Sequence, residues 1–297
     1  MSQHPEQQYL DLLARVLEQG DPRVDRTGVG TLSVLGAAMR FDLAAGMPLL
    51  TTKRVFWKPA AREMLWFLTG ETNIRPLLQH KVRIWTDWPL ANYRKATGEA
   101  ISQEAFEARI VEDEAFALQW GDLGPVYGKQ WRRWRGADGR EHDQLAELVA
   151  MIRTNPTSRR LLFTGWNVAE LAQMALPPCH MTYQFHVARG RLSCALYQRS
   201  TDIFLGLPWN LFEAALLTHM LAQQTDLQPG ELHWFSGDTH LYLNHQDQAR
   251  QQMARAPRPW PHLALTRRPP SLFDYRIEDF ALTGYDPHPP IAGEVAV

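Results

Sequence analysis

On either side of a short ARGR turn, the stretch MTYQFHVARGRLSCALYQRS (residues 181–200) alternates apolar and polar side chains. Tyr183, Phe185 and Val187 mark one arm; Leu192, Cys194 and Leu196 mark the other. A period of two commits both arms to strands with one face in a core, so the fold must contain a sheet. Cys194 is in phase with the core positions and reads as a buried small hydrophobe. Three other stretches carry helical spacing: YLDLLARVLEQG and PAAREMLWFLTG, each closing on glycine, and LFEAALLTHMLAQQ. Strand and helix signals thus occur together, and an apolar fraction of 45% supplies a packed core.

No repeat, low-complexity tract or linker interrupts the first 250 residues, so one domain over residues 1–297 is expected. The segment from about 89 to 120 is acidic and helix-prone and reads as a surface insertion, a solvated helix pair. The tail from Ser271 returns to strand-like alternation and ends in a Pro-rich, apolar segment that is either docked or mobile.

Lysine and arginine total 31 against 32 acidic residues, which gives no bulk field for nucleic acid or an anionic membrane. Any bound anion must be held by a local cluster. No apolar run approaches the roughly 18 to 20 residues that span a bilayer. The opening MSQHPEQQYLDLLARVLEQG lacks the pattern of a secretory signal. With only two cysteines, both expected as reduced thiols, the expectation is a cytoplasmic protein.

The nonapeptide LPPCHMTYQ places Cys179 between prolines and a histidine. It could be a nucleophile, a metal ligand or an inert thiol in a turn. A zinc-dependent pyrimidine deaminase needs a second cysteine three positions after its Pro-Cys; here that position is Thr182. His233, His240 and His245 match no helical HExxH spacing, and no metal is expected. A nucleophile must be a thiolate, and an ordinary thiol with a pKa of about 8.5 is mostly protonated at neutral pH. A cation must stand nearby. Arg26 in DRTG, Arg159 and Arg160 in SRR, and Arg199 beside Ser200 in YQRS are the candidates. Converging, they would favour the thiolate and grip a phosphate in bidentate fashion; each alone reads as a surface charge. Glu63, in AAREMLWFLTG, shares a helix face with Trp66 and Phe67. A carboxylate there is either paired with a basic group or kept for acid and base work.

These stretches, with others, resemble the thymidylate synthase family almost end to end. The family's order is followed by DRTGVGTLSVLGAAMRFDL, LLTTKR, EMLWFLTGETNI, GDLGPVYGKQWR, SRRLLFTGWNV, LPPCHMTYQF, LYQRSTDIFLGLPWN, GDTHLYLNH and YDPHPPI. The resemblance implies an α/β (α+β) fold, a large, mostly antiparallel twisted sheet covered by helices, in a homodimer paired through sheet faces. It implies reductive methylation of dUMP to dTMP, with 5,10-methylenetetrahydrofolate as donor of the one-carbon unit and the hydride. Cys179 would be the nucleophile that adds at the 6-carbon of uracil, turning the ring into an enolate. Glu63 would serve as general acid and base through ordered water, with Tyr127 and His180 supporting the proton network.

The same resemblance assigns the phosphate to Arg26, Arg199 and Ser200, with Arg159 and Arg160 donated by the second subunit. His240 and Tyr242 would hold the ribose hydroxyl. Asp202, which also lines the substrate site, would form the folate-facing wall with Gly206, Trp85 and Val297, and the tail would close over the ligands. Asn210 offers a donor and an acceptor that together match the 4-oxygen and N3 hydrogen of uracil; a carboxylate there would favour cytosine, as in the related dCMP hydroxymethylases. Phe56 and Arg62 stand where many relatives have histidines, and Trp209 where phenylalanine is frequent, so folate affinity could differ. The nearest rival is a dUMP hydroxymethylase, in which water captures the methylene intermediate. A catalytically silent binding protein is the rival from another class, and the joint presence of Cys179, Glu63, Asn210, Arg199 and Asp202 argues against it.

Overall fold

The computed structural model describes residues 3–24 and 27–295. In chain order these form α1 (Gln7–Gln19), β1 (Asp21–Arg23), β2 (Thr31–Asp42), α2 (Trp57–Thr69), α3 (Arg75–Gln79), α4 (Asp87–Thr97), α5 (Gln103–Glu112), α6 (Glu114–Trp120) and α7 (Tyr127–Arg132). There follow β3 (Trp134–Arg135), β4 (Glu141–His142), α8 (Gln144–Thr154), β5 (Leu162–Thr164), β6 (His180–Ala188), β7 (Arg191–Asp202), α9 (Gly206–Gln224), β8 (Gln228–Tyr242), α10 (Gln246–Met253), β9 (His262–Leu265) and β10 (Phe280–Thr283). The chain divides into two compact units: residues 1–61, 149–162 and 179–297 in the first, and 62–148 and 163–178 in the second.

A sheet with strand order β1-β2-β8-β7-β6-β5 dominates the first unit. The expected hairpin is β6 and β7, antiparallel with Ala188 opposite Arg191. Its two-residue loop is Arg189–Gly190, both with positive φ (52° and 70°), the conformation whose twist matches that of the flanking strands. Strands β7 and β8 run parallel, with α9 as the connection between them, because a parallel pair cannot be joined by a tight turn. The pairs β1–β2, β2–β8 and β6–β7 are antiparallel.

Leu192, Cys194 and Leu196 face inward with at most 1% of their surface exposed, as the alternation requires. Leu207, Leu211, Phe212, Leu216 and Met220 of α9 are wholly buried; burying each such side chain contributes roughly 1.5–3 kcal/mol. The helix begins at Gly206, five positions before the apolar run that announces it in the sequence. The side chain of Asp202 accepts the backbone N–H groups of Phe204 (2.9 Å) and Leu205 (3.3 Å), and Pro208 sits in the first turn, where its missing N–H costs nothing.

Glu6, completely buried before α1, accepts hydrogen bonds from the backbone N–H and hydroxyl of both Thr51 and Thr52 at 2.6–2.9 Å. Four protein donors replace the water lost on burial and fix the loop that leads into Lys53.

In the second unit, α7 lies against α2 so closely that a Cβ on Gly128 would come within 2.5 Å of the Phe67 carbonyl oxygen, so only glycine fits. The acidic segment forms three helices. Ser102 caps α5 and Asp113 caps α6, each accepting a backbone N–H. Tyr93, Phe106 and Phe116 pack with ring centroids 5.3–5.6 Å apart, so this segment carries an aromatic core of its own instead of being solvated all round. Among the described residues no helix is long and apolar enough to cross a membrane.

Candidate active site

Cys179 precedes β6, and the β6–β7 pairing brings it beside Arg199. The backbone N–H of Arg199 donates to the Cys179 carbonyl oxygen (3.0 Å), and its Nη2 lies 3.7 Å from the Cys179 Sγ. The register shift between His180 and Thr182 marks where the strand departs from regular pairing next to the thiol. Cys194 is 1% exposed, and burial pushes its thiol up to about 12. One cysteine is therefore inert, and the other is partly accessible with a guanidinium at its sulfur.

A polar relay runs through the same unit. The indole N–H of Trp234 donates to Gln198 Oε1 (2.5 Å), which turns the Gln198 amide group toward the Asn210 Oδ1 (3.0 Å). Asn210 Nδ2 lies 3.5 Å from Glu213 Oε2, so the orientation of the Asn210 amide is specified by its neighbours. His180, 3% exposed, has its Nδ1 3.0 Å from the Tyr183 hydroxyl. Burial pushes its imidazole down to about 4, a hydrogen bond with Asn210 opposing the shift, and it is neutral at physiological pH.

Asp202 and Gly206 lie at the entry to α9. A Cβ on Gly206 would stand in ordinary contact with Asp202 Cβ at 3.7 Å and Asn210 Oδ1 at 3.8 Å. Asp202 also acts on Lys53, whose ammonium donates to the Phe204 carbonyl oxygen and lies 3.5 Å over the Phe204 ring. Burial pulls Lys53 down to about 7, opposed by the charge of Asp202. His240, opposite Asp202 in the sheet, has its Nδ1 2.8 Å from Asp238 and its ring edge-on to Tyr242 at 5.3 Å.

The second unit holds Glu63, 6% exposed. Its Oε1 accepts the indole N–H of Trp85 at 2.7 Å. Phe67 stacks on Tyr127 with centroids 4.8 Å apart, and Trp85 meets Tyr127 edge-on at 5.8 Å. Glu63, Trp85 and Tyr127 thus converge in an aromatic enclosure, with the Trp85 indole donating to the carboxylate.

Arg159 and Arg160 are exposed, and Arg159 lines a cleft of about 590 Å³ on the sheet face with Gln184, His233 and Phe235. Ser200 lies opposite Asp238 on β7. Arg26 and Val297 fall outside the described residues. Phe56 is 58% exposed. Among the described residues no three His, Cys, Asp or Glu side chains are grouped as a metal ion requires. Gln198, Glu213, Trp234 and Lys53 join the site without a motif that singles them out. The signal for Gln198 is present in retrospect: it continues the inward phase of Leu192, Cys194 and Leu196, a polar residue at a core position.

The family's sequence description, thymidylate synthase, matches residues 7–297. Proteins named thymidylate synthase from Cereibacter sphaeroides and Rhodopseudomonas palustris are 69% and 66% identical over 296 residues, covering 99% of each chain. One from Zymomonas mobilis is 61% identical over 299 residues and covers both chains entirely. With likeness of this extent, and with the thiol, guanidinium and amide arranged as described, the chain belongs to the thymidylate synthase family.

Proposed function

We propose that this chain methylates dUMP to dTMP through a covalent adduct between Cys179 and the 6-carbon of the pyrimidine. The observation that carries this reading is the Arg199 guanidinium at the Cys179 sulfur. A cation there favours the thiolate, and the thiolate is the form that can add. The adduct makes the 5-carbon nucleophilic. 5,10-Methylenetetrahydrofolate, when bound, supplies the one-carbon unit and then the hydride. Asp202, Gly206, Trp85 and Val297 are the residues proposed to face it.

Asn210 presents its amide to the 4-oxygen and N3 hydrogen of uracil; the Trp234–Gln198 relay supports this by holding the amide in one orientation. His180, neutral and bonded to Tyr183, serves the proton network with Tyr127. Glu63 moves protons as general acid and base, a role supported by its burial and by the indole N–H of Trp85 at its Oε1. Arg199 and Ser200, with Arg26, bind the phosphate, and His240 with Tyr242 the ribose hydroxyl.

The working form is a homodimer in which Arg159 and Arg160 reach the partner's phosphate site. Two features support it: both arginines are exposed, and the outer sheet face presents Tyr197 and Phe235, paired in register and each 42% exposed. A cytoplasmic location fits two cysteines that stand as thiols.

The test is Cys179→Ser. Turnover falls by a factor on the order of 10⁴ or more while the circular dichroism spectrum and melting temperature are retained. Appreciable turnover in that variant refutes the nucleophile assignment.

A further inference from the structure

His245 lies in the turn Leu243–His245 that joins β8 to α10, and it is completely buried. Its Nε2 is 2.9 Å from the backbone carbonyl oxygen of Glu294. A carbonyl can only accept, so Nε2 carries the proton in the neutral ring and Nδ1 is bare. Nδ1 is buried and has no hydrogen-bond partner among the described residues. The hydrogen bond of this imidazole is thus directed to the carboxy-terminal segment.

The packing around the ring points the same way. Phe204 lies 5.1 Å and Tyr242 6.1 Å from His245, centroid to centroid. Gly293 passes so close that a Cβ on it would come within 2.9 Å of His245 Nε2 and 3.1 Å of a Phe204 ring carbon. The tail therefore approaches the imidazole with backbone alone. Phe204 is in turn held by Asp202, which accepts its N–H, and by Lys53, which donates to its carbonyl. Asp202, Phe204, His245 and Glu294 form one connected set from the proposed folate wall to the tail.

We propose that His245 is a positioning residue that docks the segment Gly293–Glu294, and that this docking supports folate binding by the chain end. The proposal rests on the reading of that end as a cover for the ligands. His245 touches no substrate; it acts through the tail.

The experiment compares His245→Phe, which keeps a ring against Phe204 and removes the donor, with His245→Gln, which keeps an N–H near the Nε2 position. In H245F the KM for methylenetetrahydrofolate rises by roughly three- to tenfold, the effect of losing one hydrogen bond, while the KM for dUMP stays within about twofold. Some of the product becomes hydroxymethyl-dUMP as water reaches the intermediate, and H245Q regains most of the wild-type behaviour. Independently of activity, carboxypeptidase Y releases carboxy-terminal residues from H245F faster than from the wild type by a similar factor. Wild-type folate KM and wild-type release rate in H245F overturn the proposal, as does an equal loss in every parameter for both variants. If the wild-type protein makes no dTMP, the functional reading fails, and the carboxypeptidase comparison still decides the role of His245.

Discussion

The Nη2 of Arg199 stands 3.7 Å from the Sγ of Cys179, while the backbone N–H of the same residue holds the Cys179 carbonyl oxygen at 3.0 Å. One residue thus fixes both the position of the thiol and the charge beside it. Arg199→Gln keeps a donor and removes the charge. At pH 7 the alkylation of Cys179 by iodoacetamide then slows by roughly tenfold, followed by mass spectrometry of the modified peptide, with Cys194 unmodified throughout. An unchanged rate means that the guanidinium does not govern the thiol.

Glu63→Gln preserves shape and a hydrogen-bonding oxygen for Trp85 while removing the group that can exchange a proton. Steady-state kinetics are expected to show kcat lowered by about 10²- to 10⁴-fold with the KM for dUMP changed only a few-fold. A loss under about tenfold contradicts a proton-transfer role.

His180 sets a pH dependence of stability. Its folded value of about 4 lies below the ordinary 6.5. Between those values the unfolded chain binds a proton that the folded chain does not, so stability rises with pH there and is lost as the pH falls from about 6.5 toward 4. The slope from this residue is at most about 1.4 kcal/mol per pH unit. His219 on α9, also pushed to about 4 by burial, acts in the same window. Urea unfolding at pH 4.5, 5.5 and 6.5 is expected to give a shallower dependence for His180→Gln than for the wild type; equal slopes contradict the assignment.

The β6–β7 hairpin and the burial of Cys194 were legible because alternation is local and nothing in the tertiary structure opposes it. The start of α9 was not, since it depends on the Asp202 side chain holding the turn at Phe204 and Leu205, outside the helical pattern. The three-helix packing of residues 87–120 was missed for a different reason: an acidic surface masks Tyr93, Phe106 and Phe116, which only meet once the helices form. In the site, Cys179 and Arg199 are named by their motifs, but the contact between them is a property of strand pairing. The Trp234–Gln198–Asn210 relay joins residues from two strands and a helix, and no spacing announces it.

This chain is expected to convert dUMP to dTMP at the expense of the folate's own hydride. The most direct measurement is an anaerobic incubation of the protein with dUMP and 5,10-methylenetetrahydrofolate, following the pyrimidine product and the oxidation state of the folate together. Dihydrofolate appearing one for one with dTMP is the result predicted here; tetrahydrofolate appearing with hydroxymethyl-dUMP, or no pyrimidine product at all, contradicts it.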